Sequence, residues 1–193
     1  MLARHYLIGT AFIAASMAAL MRTTPPPVVP VKPPHRAVLV ASGRGADWFA
    51  RAKPFCNTLE VETFITSNPP VASLDGAGYG AACWALAGRI ERARATIRTR
   101  PESERARAAG IVFEIGHPIA DAGDDRSAGP IMELVVEFWP NHYMALYHAG
   151  AAENGLGQSE RARKNLTAFL GLYHQEDGWR SSAQSMLERM NAR

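Results

Sequence analysis

The chain has 193 residues, 47% of them apolar, and a formal net charge of +3. That composition suits one cored domain with accessory segments. Lys32, Lys53 and Lys164 are the only lysines. The arginines are scattered, and between Arg89 and Arg107 they alternate with glutamates. Such a run is a solvated helix face, and with no aromatic-plus-basic strip beside it, it argues against nucleic acid as a partner.

Arg4 and His5 precede an uncharged run from Tyr6 to Met21, which Arg22 closes. A basic start and a short apolar run predict a hydrophobic helix over residues 1–22, acting as a signal anchor or an export signal. At about 1.5 Å per residue the run reaches roughly 24 Å, short of the ~30 Å hydrocarbon core. Ser16-Met17-Ala18 is a passable cleavage site, so removal stays open beside retention as an anchor. Either way, the positive-inside rule puts residues 23 onward outside the cytoplasm. The expectation is a single-pass protein of the cell membrane with its folded part on the periplasmic side, or a secreted protein after cleavage. Residues 23–36 are proline-rich and predict a stiff, extended linker.

Residues 37–73 read as an N-terminal capping region. Trp48 and Phe49 suggest a short helix near residues 45–53. Asn57 followed by Glu60 is a helix-start pattern, predicting a helix from Thr58 to Ser67 that Asn68-Pro69-Pro70 ends. Cys56 and Cys83 are the only cysteines. In an exported domain they can oxidise to a disulfide, and two separate buried thiols are the alternative. Their spacing fits no zinc or CxxC pattern.

Residues 74–193 carry an internal repeat. The segment from Tyr143 through Gly150, Gly157, Ala162 and Leu166 resembles a tetratricopeptide repeat, a 34-residue helix–turn–helix unit. That family places small residues at positions 8 and 20, glycine at 15, a large residue at 24 and proline at 32. With Tyr143 as position 1, those positions hold Gly150, Ala162, Gly157 and Leu166, and Pro140 falls at position 32 of the preceding unit. A unit starting at Ala109 supplies Gly116, Gly123, Ala128 and Met132. One starting at Leu74 supplies Ala81, Trp84 at position 11, Gly88, Ala93 and Ile97. The physical logic is that small residues let two helices approach, glycine tolerates φ > 0 in the turn, and neighbouring units cover each other's apolar faces. The resemblance implies an all-α fold: a right-handed solenoid of about three helical hairpins between N- and C-terminal capping helices. Trp179, Ala183, Met186, Leu187 and Met190 predict the C-terminal cap, with Gln184, Glu188 and Arg189 on its polar side.

The middle unit departs from the pattern. Pro118 and Pro130 fall where helix is expected. Proline costs a helix interior about 3 kcal/mol, so the first helix is expected from Glu102 to Gly116, a loop from His117 to Gly129, and a shorter helix opening at Pro130.

The resemblance implies a protein-binding scaffold that recruits or stabilises a protein partner or a membrane complex as an accessory subunit, rather than an enzyme, with no cofactor. First-helix positions 2, 5, 9 and 12 line a groove in this family. Phe113, His117, Met144, Tyr147 and Asn154 are therefore the candidate partner-binding residues, while Asp75, Gly78, Ala82 and Ala85 of the first unit are small. A metal-binding protein or enzyme built around His117 and the Asp121/Asp124/Asp125 loop is the alternative. No calcium-loop or zinc spacing occurs there, so the first reading assigns no metal. His142 and His148 stand six apart, which does not align them on one helix face.

Overall fold

A computed structural model describes residues 44–192. The predicted anchor and the linker lie outside the described residues. Those described are all-helical: nine α-helices and one 3-10 turn, with no strand among them. In chain order they are α1 (Arg44–Ala52), the turn Lys53–Phe55, α2 (Val61–Ser67), α3 (Leu74–Leu86), α4 (Ile90–Arg98), α5 (Glu102–Asp121), α6 (Asp125–Phe138), α7 (Tyr143–Gly155), α8 (Ser159–Leu172) and α9 (Gly178–Asn191). No helix among the described residues is long and apolar enough to cross a membrane.

Local chemistry sets the helix starts. The Ser73 hydroxyl accepts from Gly76 N–H at 3.0 Å and opens α3. Asp124 accepts from Ser127 N–H ahead of α6, and Asp177 accepts from the N–H groups of Trp179 and Arg180 ahead of α9. Each satisfies backbone donors that a helix N-terminus leaves without an intrahelical partner. Asn57 Oδ1 accepts from the N–H groups of Leu59 and Glu60, so the turn before α2 is capped as its sequence suggests.

The helices α3–α4, α5–α6 and α7–α8 pack as three consecutive pairs. Each pair turns on a glycine with positive φ: Gly88 (71°), Gly123 (76°) and Gly157 (75°). In each turn the next residue donates back to the carbonyl five positions earlier: Arg89 to Trp84, Asp124 to Ile119 and Gln158 to Glu153. That bond occupies a carbonyl the helix end would otherwise leave open. Ala93, Ala128 and Ala162 are buried in the second helices, as are Ile97, Met132 and Leu166. The two junctions between pairs differ. α5 lies mainly along α3, whereas α7 lies mainly on α6.

The glycine-rich α3 is buried over most of its surface, from Gly76 through Cys83. A Cβ at Gly78 would stand 2.6 Å from Ile111 Cδ1, so only glycine allows α5 this close. α1 covers another side with Trp48 and Phe49, the latter stacked on Tyr79 at 5.3 Å. Cys56 and Cys83 form a disulfide that ties the segment after α1 to α3.

The middle unit corrects the sequence reading. No loop runs from His117 to Gly129. α5 continues through Pro118 to Asp121, and α6 begins at Asp125 with Pro130 inside it. Each proline leaves one carbonyl without its helical donor, that of Glu114 or Arg126. Both residues are exposed, where water serves such carbonyls. Burial of Val112, Phe113, Ile131, Met132, Leu134 and Val135 outweighs the loss, at about 1.5–3 kcal/mol for each large side chain.

Candidate functional site

The expected groove residues do not form an open surface. Phe113, His117, Met144 and Tyr147 are all less than a tenth exposed, and Asn154 is half-buried. The expectation that Phe113, Met144 and Tyr147 line an open groove is therefore corrected. For Tyr147 the cause is α9. The Tyr147 hydroxyl donates to Ser182 Oγ at 3.0 Å, and its ring meets Trp179 at 4.8 Å and Phe169 at 5.2 Å. Gly78, Ala82 and Ala85 of the first unit are buried as well.

A polar cluster lies within this covered region. Phe113 stacks on the ring of His117 at 4.7 Å and touches His142 at 4.1 Å. His142 caps α7, its Nδ1 accepting from Ala145 N–H at 3.2 Å. Burial pulls its pKa from the ordinary 6.5 to about 4, and the neighbouring His117 adds to the depression. His142 is thus neutral at pH 7, as an acceptor at that nitrogen must be.

His117 and Asp121 stand one helical turn apart on α5, with His117 Nε2 3.3 Å from Asp121 Oδ1. His148 comes from α7 and places its Nε2 3.8 Å from the same oxygen. One ligand atom from each of the three residues falls within 4.8 Å of the others. Both imidazoles are buried, and Asp121 is on the exposed side of the cluster. His148 is held edge-on by Tyr147 at 5.3 Å and Trp179 at 5.6 Å.

Asp124 and Asp125 do not join this group. Asp124 is the cap of α6, and the hydrogen bond from Ser127 holds its carboxyl below the usual range. Burial raises Asp125, and the Asp124 charge adds to the effect. The sequence offered His117 and Asp121 but not His148, because the spacing to His142 was the wrong comparison. The informative spacing runs between units: His117 is position 9 of the second unit and His148 position 6 of the third.

A second polar cluster binds α6, α7 and α8 together. Glu153 on α7 is 1% exposed and accepts from Asn165 Nδ2 at 2.8 Å. Arg161 pairs with both Glu133 and Glu153. Burial raises the pKa of Glu153. This arrangement fastens the three helices together, with Glu153 inside and Arg161 on the solvent side.

Among the described residues, large apolar side chains reach solvent in two places: Tyr143, Leu156 and Leu172 in and beside the third helix pair, and Phe55 and Leu59 before the first. Leu59 is 90% exposed and Phe55 36%, and Phe55 stacks on Phe64 at 4.5 Å. With Thr63 they line a shallow depression beside α2. No family model matches the chain, and neither a curated protein nor a solved structure matches it.

Proposed function

We propose that the chain is a tetratricopeptide-like α-solenoid scaffold that binds a protein partner outside the cytoplasm. The observation that carries the reading is the recurrence of one turn. Positive-φ glycines at 88, 123 and 157 close three successive helix pairs at steps of 35 and 34 residues. Stacked helix pairs of this kind present extended surfaces to other proteins. The α9 helix supports the reading as a terminal cap, with Trp179, Ala183, Met186 and Met190 turned inward and Gln184, Glu188 and Arg189 outward.

Extracytoplasmic placement draws on two features. The Cys56–Cys83 disulfide suits an oxidising compartment. The basic and apolar start of the chain suits an anchor or export signal. The contact surface is not the covered groove but the apolar patch at Phe55, Leu59 and Phe64, which suits an apolar segment of a partner.

Affinity purification in mild detergent tests the proposal, comparing the full chain with a truncation that starts at Arg36. A partner that stays with the truncation supports binding through the folded part, which keeps the Phe55, Leu59 and Phe64 patch. A partner lost with the first 35 residues assigns the interaction to the N-terminal segment and contradicts the proposal.

A further inference from the structure

We propose that His117, Asp121 and His148 bind one divalent transition-metal ion of the zinc type, which clamps α5 to α7. The donor set is two imidazoles and one carboxylate. That combination suits zinc and its neighbours in the first transition row, whereas calcium and magnesium take oxygen ligands. The spacing also fits. Two ligands bound to one tetrahedral ion at about 2.1 Å lie roughly 3.4 Å apart. The Asp121 oxygen stands 3.3 Å from one imidazole nitrogen and 3.8 Å from the other. The remaining separation is no more than 4.8 Å, so side-chain rotations of about 1 Å bring all three onto one ion.

The surroundings preorganise the set. Phe113 stacks against His117, while Tyr147 and Trp179 flank His148, so neither imidazole swings freely. The Asp121 side chain is 27% exposed and gives the ion its entry from solvent. Water completes the coordination on that side, as in three-ligand zinc sites. The competing account is a metal-free His–Asp–His hydrogen-bonded cluster, and it predicts no tight ion binding.

Zinc titration of the full chain in mild detergent, against a chromophoric chelator, distinguishes the two. Cobalt(II) substitution gives a second readout through its visible ligand-field bands. The expected result is one ion per chain, weakened at least tenfold by Asp121→Asn and by His148→Ala and unchanged by His174→Ala, a change at an exposed histidine outside the cluster. Asp121→Asn keeps the side-chain shape, so it decides the matter even where His148→Ala fails to fold. Absence of stoichiometric binding, or binding that survives Asp121→Asn, overturns the proposal. So does binding that His174→Ala abolishes.

Discussion

Leu166 on α8 occupies the space that a side chain at Gly150 on α7 would need: a Cβ there would stand 2.7 Å from Leu166 Cγ. The same relationship recurs one unit earlier, where a Cβ at Gly116 would meet Ile131 Cγ2 at 2.6 Å. In both pairs a glycine on the first helix faces a large side chain on the second. Gly150→Ala is therefore expected to destabilise the protein by about 1–3 kcal/mol through overpacking. The test is a denaturant-unfolding cycle with Leu166→Ala. The double variant should lose less stability than the two single losses together, because the shortened side chain makes room for the new methyl. Strict additivity would contradict the packing argument.

The turn glycines act differently. A Cβ at Gly157 would meet nothing within 4 Å, yet its φ is +75°. Gly157→Ala should cost on the order of 1 kcal/mol from backbone strain alone, and Gly157→Asn should cost less, since asparagine tolerates this conformation better. Chemical denaturation of the two variants checks the order. Equal losses would show that something other than φ governs the turn.

The disulfide joins positions 27 residues apart. Closing such a loop in the unfolded chain is worth about 3 kcal/mol. The paired change Cys56→Ser and Cys83→Ser should lower stability by about that amount, and thiol labelling of the denatured, unreduced protein should find no free cysteine. An accessible thiol before reduction would refute the bridge.

His142 gives a pH dependence whose sign is fixed by its depressed pKa. Below pH 6.5 the unfolded chain takes up a proton that the folded state refuses until about pH 4. Stability therefore falls as pH drops from about 6.5 to about 4. The side chain is only partly buried, which limits the loss from this group to on the order of 2 kcal/mol. His142→Asn keeps a capping acceptor and cannot titrate, so thermal melts of that variant should show a shallower loss over the same window. An unchanged pH profile would contradict this assignment.

Much of the fold was legible in residue spacing. Gly88, Gly123 and Gly157 mark the turns because few other residues accept positive φ at a helix end. The cap helix was legible because Trp179, Ala183, Met186 and Met190 recur on one helical face. Pro118 and Pro130 misled because proline's local penalty is visible in sequence, while the burial of Val112, Ile131 and Leu134 that overrides it is a tertiary effect. The groove misled for a related reason. The tetratricopeptide-like register assigns Tyr147 to an open face, but nothing local reveals that α9 folds back over it. His148 was hidden because its approach to Asp121 depends on how α7 lies beside the end of α5.

The most direct test of the scaffold reading is a quantitative pull-down of the partner by the full chain and by its Leu59→Asp variant, with Arg189→Asp as the surface control. Leu59 is 90% exposed, so the change leaves the core alone. The account predicts that Leu59→Asp loses most of the captured partner while Arg189→Asp retains it, both proteins melting at the unsubstituted temperature. Equal capture by all three proteins would contradict the assignment of the partner to this patch.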